Sequence, residues 1–195
     1  MDRQKYYDAV KKQLEPNIFY HSLALETCMA GLYDYFQANN LLTSNDPLKE
    51  DWMLAGLLHD IDYEMYPEQH CIKAREILGS REWHEAYIHA VESHGWKLCC
   101  DVEPIEKMEK VLYTIDELTG LIAATAIMRP SKSILDMEVK SVKKKWKQKG
   151  FAAGVNREVI EEGAGLLGME LDKVIEETIK GMQQVAEEIG LKGNI

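Results

Sequence analysis

Four ionisable residues sit among apolar neighbours at helical spacing. His21 shares a face with Ala24, Leu25, Cys28 and Leu32, and His59 with Leu48, Trp52 and Ala55. Asp60 neighbours Met53, Gly56 and Leu57, and Asp116 neighbours Leu112, Tyr113 and Ala123. All four therefore point toward core. A lone histidine on such a face is ordinarily a hydrogen-bonded core residue, and a lone buried aspartate ordinarily a cap or an ion-pair partner. Two buried carboxylates and two imidazoles together carry a cost that one divalent cation would offset, since two negative charges neutralise a 2+ ion. The mixed nitrogen and oxygen donors suit Mn, Fe, Co, Ni or Zn better than Ca, with Mg also open. The adjacency of His59 and Asp60 at the end of Trp52-Met-Leu-Ala-Gly-Leu-Leu-His-Asp60 adds weight. A mid-helix pair diverges by about 100°, whereas a helix terminus lets neighbours converge as the backbone turns.

The elements that would carry these residues are helices throughout, and no convincing strand appears. Expected helices cover residues 2–14, 18–39, 47–59, 68–78, 80–94, 105–128, 131–149 and 156–167, with a last one from Leu171. Asp46-Pro47 reads as an N-cap followed by proline at the first helical position. Gly79 closes the fourth helix, and Ser80 caps the next, which ends at Gly95. Met108, Val111, Leu112, Ile115, Leu118, Leu121 and Ile122 set the i, i+3, i+4 rhythm of the long helix, which Arg129-Pro130 ends. In the last helix Leu171, Val174, Ile175, Thr178, Met182, Val185 and Ile189 form one stripe, implying a docked face. The expectation is an all-α, compact multi-helix bundle. It is read as one unit over 1–195, with a motif region of about 18–128 and C-terminal helices over 131–190 packed on it.

The composition suits a soluble globular domain, with 46% hydrophobic and 29% charged residues in 195. A net charge of -10 makes nucleic acid an unlikely partner and disfavours anionic membranes. One segment reverses the sign: Lys140 to Lys149 holds six lysines and no acid. Val139, Val142 and Trp146 share a stripe there, so the plain expectation is an amphipathic helix with a wet basic face. Docking of an anionic substrate is the functional alternative, with Arg129 and Lys132. Arg129 lies 13 residues beyond Asp116, about 20 Å along one helix, which rules out direct contact with the same ligand. Cys28, Cys71, Cys99 and Cys100 form no C-x-x-C pair and read as free thiols of a reducing cytoplasm. No signal peptide or long apolar run is seen, so membrane spanning is not expected.

The ordered set resembles the HD-domain superfamily of metal-dependent phosphohydrolases. The elements are Phe-Tyr-His21-Ser-Leu, Leu-Leu-His59-Asp60-Ile-Asp-Tyr and Tyr-Thr-Ile-Asp116-Glu-Leu-Thr-Gly-Leu. The resemblance implies that His21, His59, Asp60 and Asp116 bind one metal. Family members with two metals add histidines on the next two helices, and His70 and His94 stand in those places. Gly95 occupies the position of the second histidine of the family's pair, and Asp62 replaces the glycine of the His-Asp-Ile-Gly variant. His70 and His94 are thus left with two roles, a second metal or a hold on substrate phosphate as imidazolium.

The implied function is hydrolysis of a small phosphate ester or nucleotide by an activated water, with Asp60, His70 and His94 as the catalytic set. Two rivals are a non-catalytic nucleotide-binding or regulatory module and a di-iron oxygenase. A homo-oligomer stays open, because the last helix could pack on its own chain or on a second copy. His84 is expected as a core residue or a partner of a ligand, His89 on a solvated face, and Asp62 and Glu64 as carboxylates that orient a ligand histidine or face solvent. Thr119 is expected to pack or to face the surface.

Overall fold

A computed structural model describes residues 3–79 and 85–195. Ser80 and His84, read from sequence as a cap and a core histidine, lie outside the described residues. The chain is all-α. Its helices are α1 (Arg3–Gln13), α2 (Pro16–Ala38), α3 (Lys49–Leu58), α4 (Ala74–Gly79), α5 (Glu85–Ser93), α6 (Lys107–Ile127), α7 (Val139–Trp146), α8 (Arg157–Leu167) and α9 (Leu171–Gln184). No strand occurs among the described residues, which hold only an isolated bridge between Trp96 and Cys100. None of the described helices is long and apolar enough to cross a membrane.

The long apolar α2 is the hub. It packs on α3, α6 and α9, while α6 also receives α8. Two of these contacts run at backbone distance because a glycine faces the partner. A Cβ on Gly56 would stand 2.8 Å from the Leu25 carbonyl oxygen of α2, and one on Gly181 would stand 2.6 Å from the Cys28 Cα. The core between them includes Leu25, Met29, Leu32, Phe36, Trp52 and Leu57, all at most 1% exposed. Val174, Ile175, Thr178, Met182, Val185 and Ile189 are buried within the chain, so the C-terminal stripe docks on its own bundle.

Several ends differ from the sequence expectation, each for a local reason. The cap of α3 is not Asp46, which accepts bonds from the Thr43 N–H and hydroxyl instead; Asp51 reaches back to the Leu48 N–H at 2.8 Å. The expected helix over 68–78 is broken. A single 3₁₀ turn, Pro67–Gln69, is followed by non-helical His70 and by Cys71 at φ 68°, and α4 starts only at Ala74. The expected helix over 131–149 shrinks to α7, because the stretch before it turns back: Ile134 N–H bonds the Leu191 carbonyl and Ser133 is buried. His59 and His94 each fall one residue past a helix end, beyond Leu58 and Ser93.

Candidate metal centre

Five segments bring the chemistry to one place. His21 projects from the second turn of α2 and Asp116 from the middle of α6. His59-Asp60 follows α3, His94 follows α5, and His70 stands in the loop before α4. After Leu58 the backbone tightens into i→i+3 bonds, Ile61 to Leu58 and Tyr63 to Asp60, which turns His59 and Asp60 toward a common point.

The distances describe two groups that meet at Asp60. On one side His21 Nε2 lies 2.8 Å and His59 Nε2 3.6 Å from Asp116 Oδ1, and His59 Nε2 is 3.1 Å from Asp60 Oδ2. On the other, Asp60 Oδ1 is 3.3 Å from His70 Nε2 and 3.9 Å from His94 Nε2, and those two nitrogens are 3.2 Å apart. His59 is fully buried, His94 and Asp60 nearly so, while His21, His70 and Asp116 edge a cleft.

The far nitrogen of each ring fixes which way the near one faces. His59 Nδ1 meets the Gly56 carbonyl at 2.8 Å, and His94 Nδ1 meets the Val91 carbonyl. His70 Nδ1 meets Asp62 Oδ1 at 2.8 Å. Thr119 donates to the Asp116 carbonyl at 2.8 Å, which leaves its hydroxyl oxygen, 3.1 Å away, to accept from His21 Nδ1. With acceptors at every Nδ1, four Nε2 lone pairs converge, the arrangement by which partner groups orient metal-binding histidines. His59 Nε2 is moreover fully buried and makes no well-aligned hydrogen bond, with only the Asp60 carboxylate oxygen at 3.1 Å beside it, a place that an ion would satisfy. These His and Asp groups, with Cys71 beside His70 and His94, could hold a metal ion.

The charges agree. Burial alone would lower the pKa of His59, but the carboxylates of Asp60 and Asp116 outweigh it and hold the ring up at about 9. Burial likewise works against an ionised Asp116, yet His21 and His59 keep its carboxyl below the usual range. Burial, reinforced by His59, pulls His94 down, which favours a neutral ring over an imidazolium. Without an ion, a proton on His59 thus supplies the positive charge between two carboxylates.

The cleft beside these groups measures about 330 Å³, and Tyr63, Leu98, Cys99 and Glu117 are also in its wall. No lysine or arginine is among the described residues that line it. His21 also borders a second, apolar cavity of about 210 Å³ between α2, α6 and the C-terminal segment.

The other residues singled out from the sequence fall partly as expected and partly not. His89 is not on a solvated face: Nδ1 meets Glu109 Oε1 at 2.8 Å in a half-buried pair. Asp62 is fully buried and holds His70, but Glu64 turns to the Glu15 N–H at 3.4 Å. Arg129 pairs with Asp136, and in α7 Lys140 pairs with Glu138 and Lys143 with Asp172. Thr119, assigned to packing or surface, is buried against His21; its place three residues after Asp116, on the same helical face, was the available signal.

A scan of the chain against protein-family models found no match, and neither did searches of curated proteins and of solved structures.

Proposed function

We propose that this protein is a metal-dependent hydrolase of a small phosphate ester or nucleotide, of the HD-domain type. The observation that carries the metal is the convergence of His21, His59, His70 and His94 Nε2 on the carboxylates of Asp60 and Asp116. The phosphate ester rests on the resemblance of the three motifs alone, since a fold does not fix a reaction.

The residues divide the work. His21, His59, Asp60 and Asp116 would hold the first ion, and His70 and His94, with the other oxygen of Asp60, a second. When bound, divalent ions supply Lewis acidity, polarising a phosphoryl oxygen and lowering the pKa of water toward about 7. Asp62 and Thr119 keep His70 and His21 aimed. Tyr63 and Leu98, the exposed apolar residues of the cleft wall, would meet the ester as it enters.

Asp60 between two histidine groups also favours a second reading, the di-iron oxygenase, because that chemistry needs two positions. Elemental analysis of untagged protein beside His59→Ala and Asp60→Ala separates the alternatives. The hydrolase reading expects one or two divalent metals per chain, lost in both variants while far-ultraviolet dichroism stays helical, and turnover within a panel of phosphate esters and nucleotides. Two irons with oxygen consumption select the oxygenase. Full metal retention in both variants would sink the centre, and absence of metal after reconstitution would leave the nucleotide-binding module.

A further inference from the structure

Three thiols cluster on the His94 side of the cleft. Cys71 Sγ is fully buried, 3.8 Å from His94 Nε2 and 2.9 Å from Cys99 Sγ. Cys99 is exposed and lines the cleft wall. Cys100, its neighbour in sequence, also lies against both of these thiols, but its own S–H is committed to the Glu92 carbonyl at 3.0 Å. Two features hold the Cys71–Cys99 pair together. Cys71 stands at φ 68°, a backbone conformation uncommon for a non-glycine residue. Gly95 faces both sulfurs, and a Cβ there would collide with each. The glycine that replaces the expected second histidine thus makes room for a dithiol.

We infer that Cys71 and Cys99 form a reversible dithiol–disulfide site in the wall of the cleft, oxidised by a hydroperoxide. The accessible Cys99 sulfur attacks a peroxide oxygen. The O–O bond breaks, water or an alcohol leaves with the thiol proton, and a sulfenic acid remains. The Cys71 sulfur then displaces that hydroxyl as a second water, taking its own proton with it, and the S–S bond forms. Closing the pair to a bond of about 2.05 Å needs a small shift of two side chains. The bond ties the residue beside His70 to the segment after His94 and fixes that side of the cleft. No bound metal is required, so the site stands whether or not the hydrolase reading does.

The test is thiol counting and peptide mapping after hydrogen peroxide treatment of the native, full-length protein. Four denatured-state thiols should fall to two and return to four with dithiothreitol. Cys99 and Cys100 share a tryptic peptide, so variants assign the bond. Cys99→Ser should lose the link to Cys71, with its melting temperature unchanged as a folding control, and Cys100→Ser should keep it. Four thiols surviving peroxide, a Cys99–Cys100 bridge, or a link that follows Cys100 would each overturn the inference.

Discussion

A single hydroxyl illustrates how much of the centre depends on groups that would never touch the ion. Thr119 Oγ1 takes the far nitrogen of His21 and is itself held by the main-chain carbonyl of Asp116, so this one hydroxyl fixes the His21 ring. Thr119→Val should keep the fold and weaken metal binding about 10–100-fold, measured by competition with a chelating dye. His59 makes a second prediction. Its ring, raised from 6.5 to about 9, is a base whose folded pKa exceeds the unfolded one. Its contribution is therefore complete below about pH 6.5 and disappears as pH rises through 9. Metal-free protein should melt at falling temperature across that window, and His59→Phe should flatten the slope. A pH-independent melting temperature would show that His59 does not carry the proton. His21, His59, Asp60 and Asp116 were legible because each is an ionisable residue at an apolar helical position. Thr119 and Asp62 were weakly legible or ambiguous, because hydroxyls and loop carboxylates have many ordinary roles and only the fold says what they face.

Helices place these residues only where the backbones come close. Gly56 sits three residues before His59, and its missing Cβ lets α3 lie on the Leu25 carbonyl of α2. Gly56→Ala should push the two helices apart at fixed backbone atoms. Destabilisation of about 1–3 kcal/mol, read from urea unfolding, is expected. Glu109 acts similarly between α5 and α6. One oxygen accepts from the Ile105 and Glu106 N–H groups at 2.6 and 2.9 Å, and the other meets His89. The segment leading to His94 is thereby fixed to the helix that carries Asp116. Helices with a sustained 3.6-residue rhythm, such as α2 and α6, were readable from sequence to within about two residues. The region 68–78 was not. Its residue types favour helix, and what breaks it is the burial of Cys71 against Cys99 and His94, a contact 23 to 28 residues away in sequence.

Among the described residues, lysine and arginine side chains pair with acids over the surface but do not line the cleft. The lysines of α7 face solvent and pair with acids outside the cleft, Lys140 with Glu138 and Lys143 with Asp172. The pairs are exposed, so the double variant Lys140→Ala/Lys143→Ala should shift stability by no more than about 0.5 kcal/mol and leave metal content unchanged. A large loss of either would assign α7 a role beyond a solvated face. The net charge could be read from sequence, but not the separation of these lysines from the cleft, because nothing local indicates which way a short amphipathic helix turns.

Asp60 offers its two carboxylate oxygens to different histidine groups, and this has a thermodynamic consequence. If ions were held on both sides as proposed, they would share one carboxylate and could not bind independently. The Asp60 charge would be divided between the two groups, while a side chain fixed on one side would already be in place for the other. Whatever the sign of that interplay, linkage makes it mutual: the free energy by which the His21 side alters the His70 side equals the converse. A calorimetric titration with zinc should therefore depart from two identical, non-interacting sites. His70→Ala should change the affinity of the ion it does not touch. Asp60→Ala should abolish the interplay together with the sites.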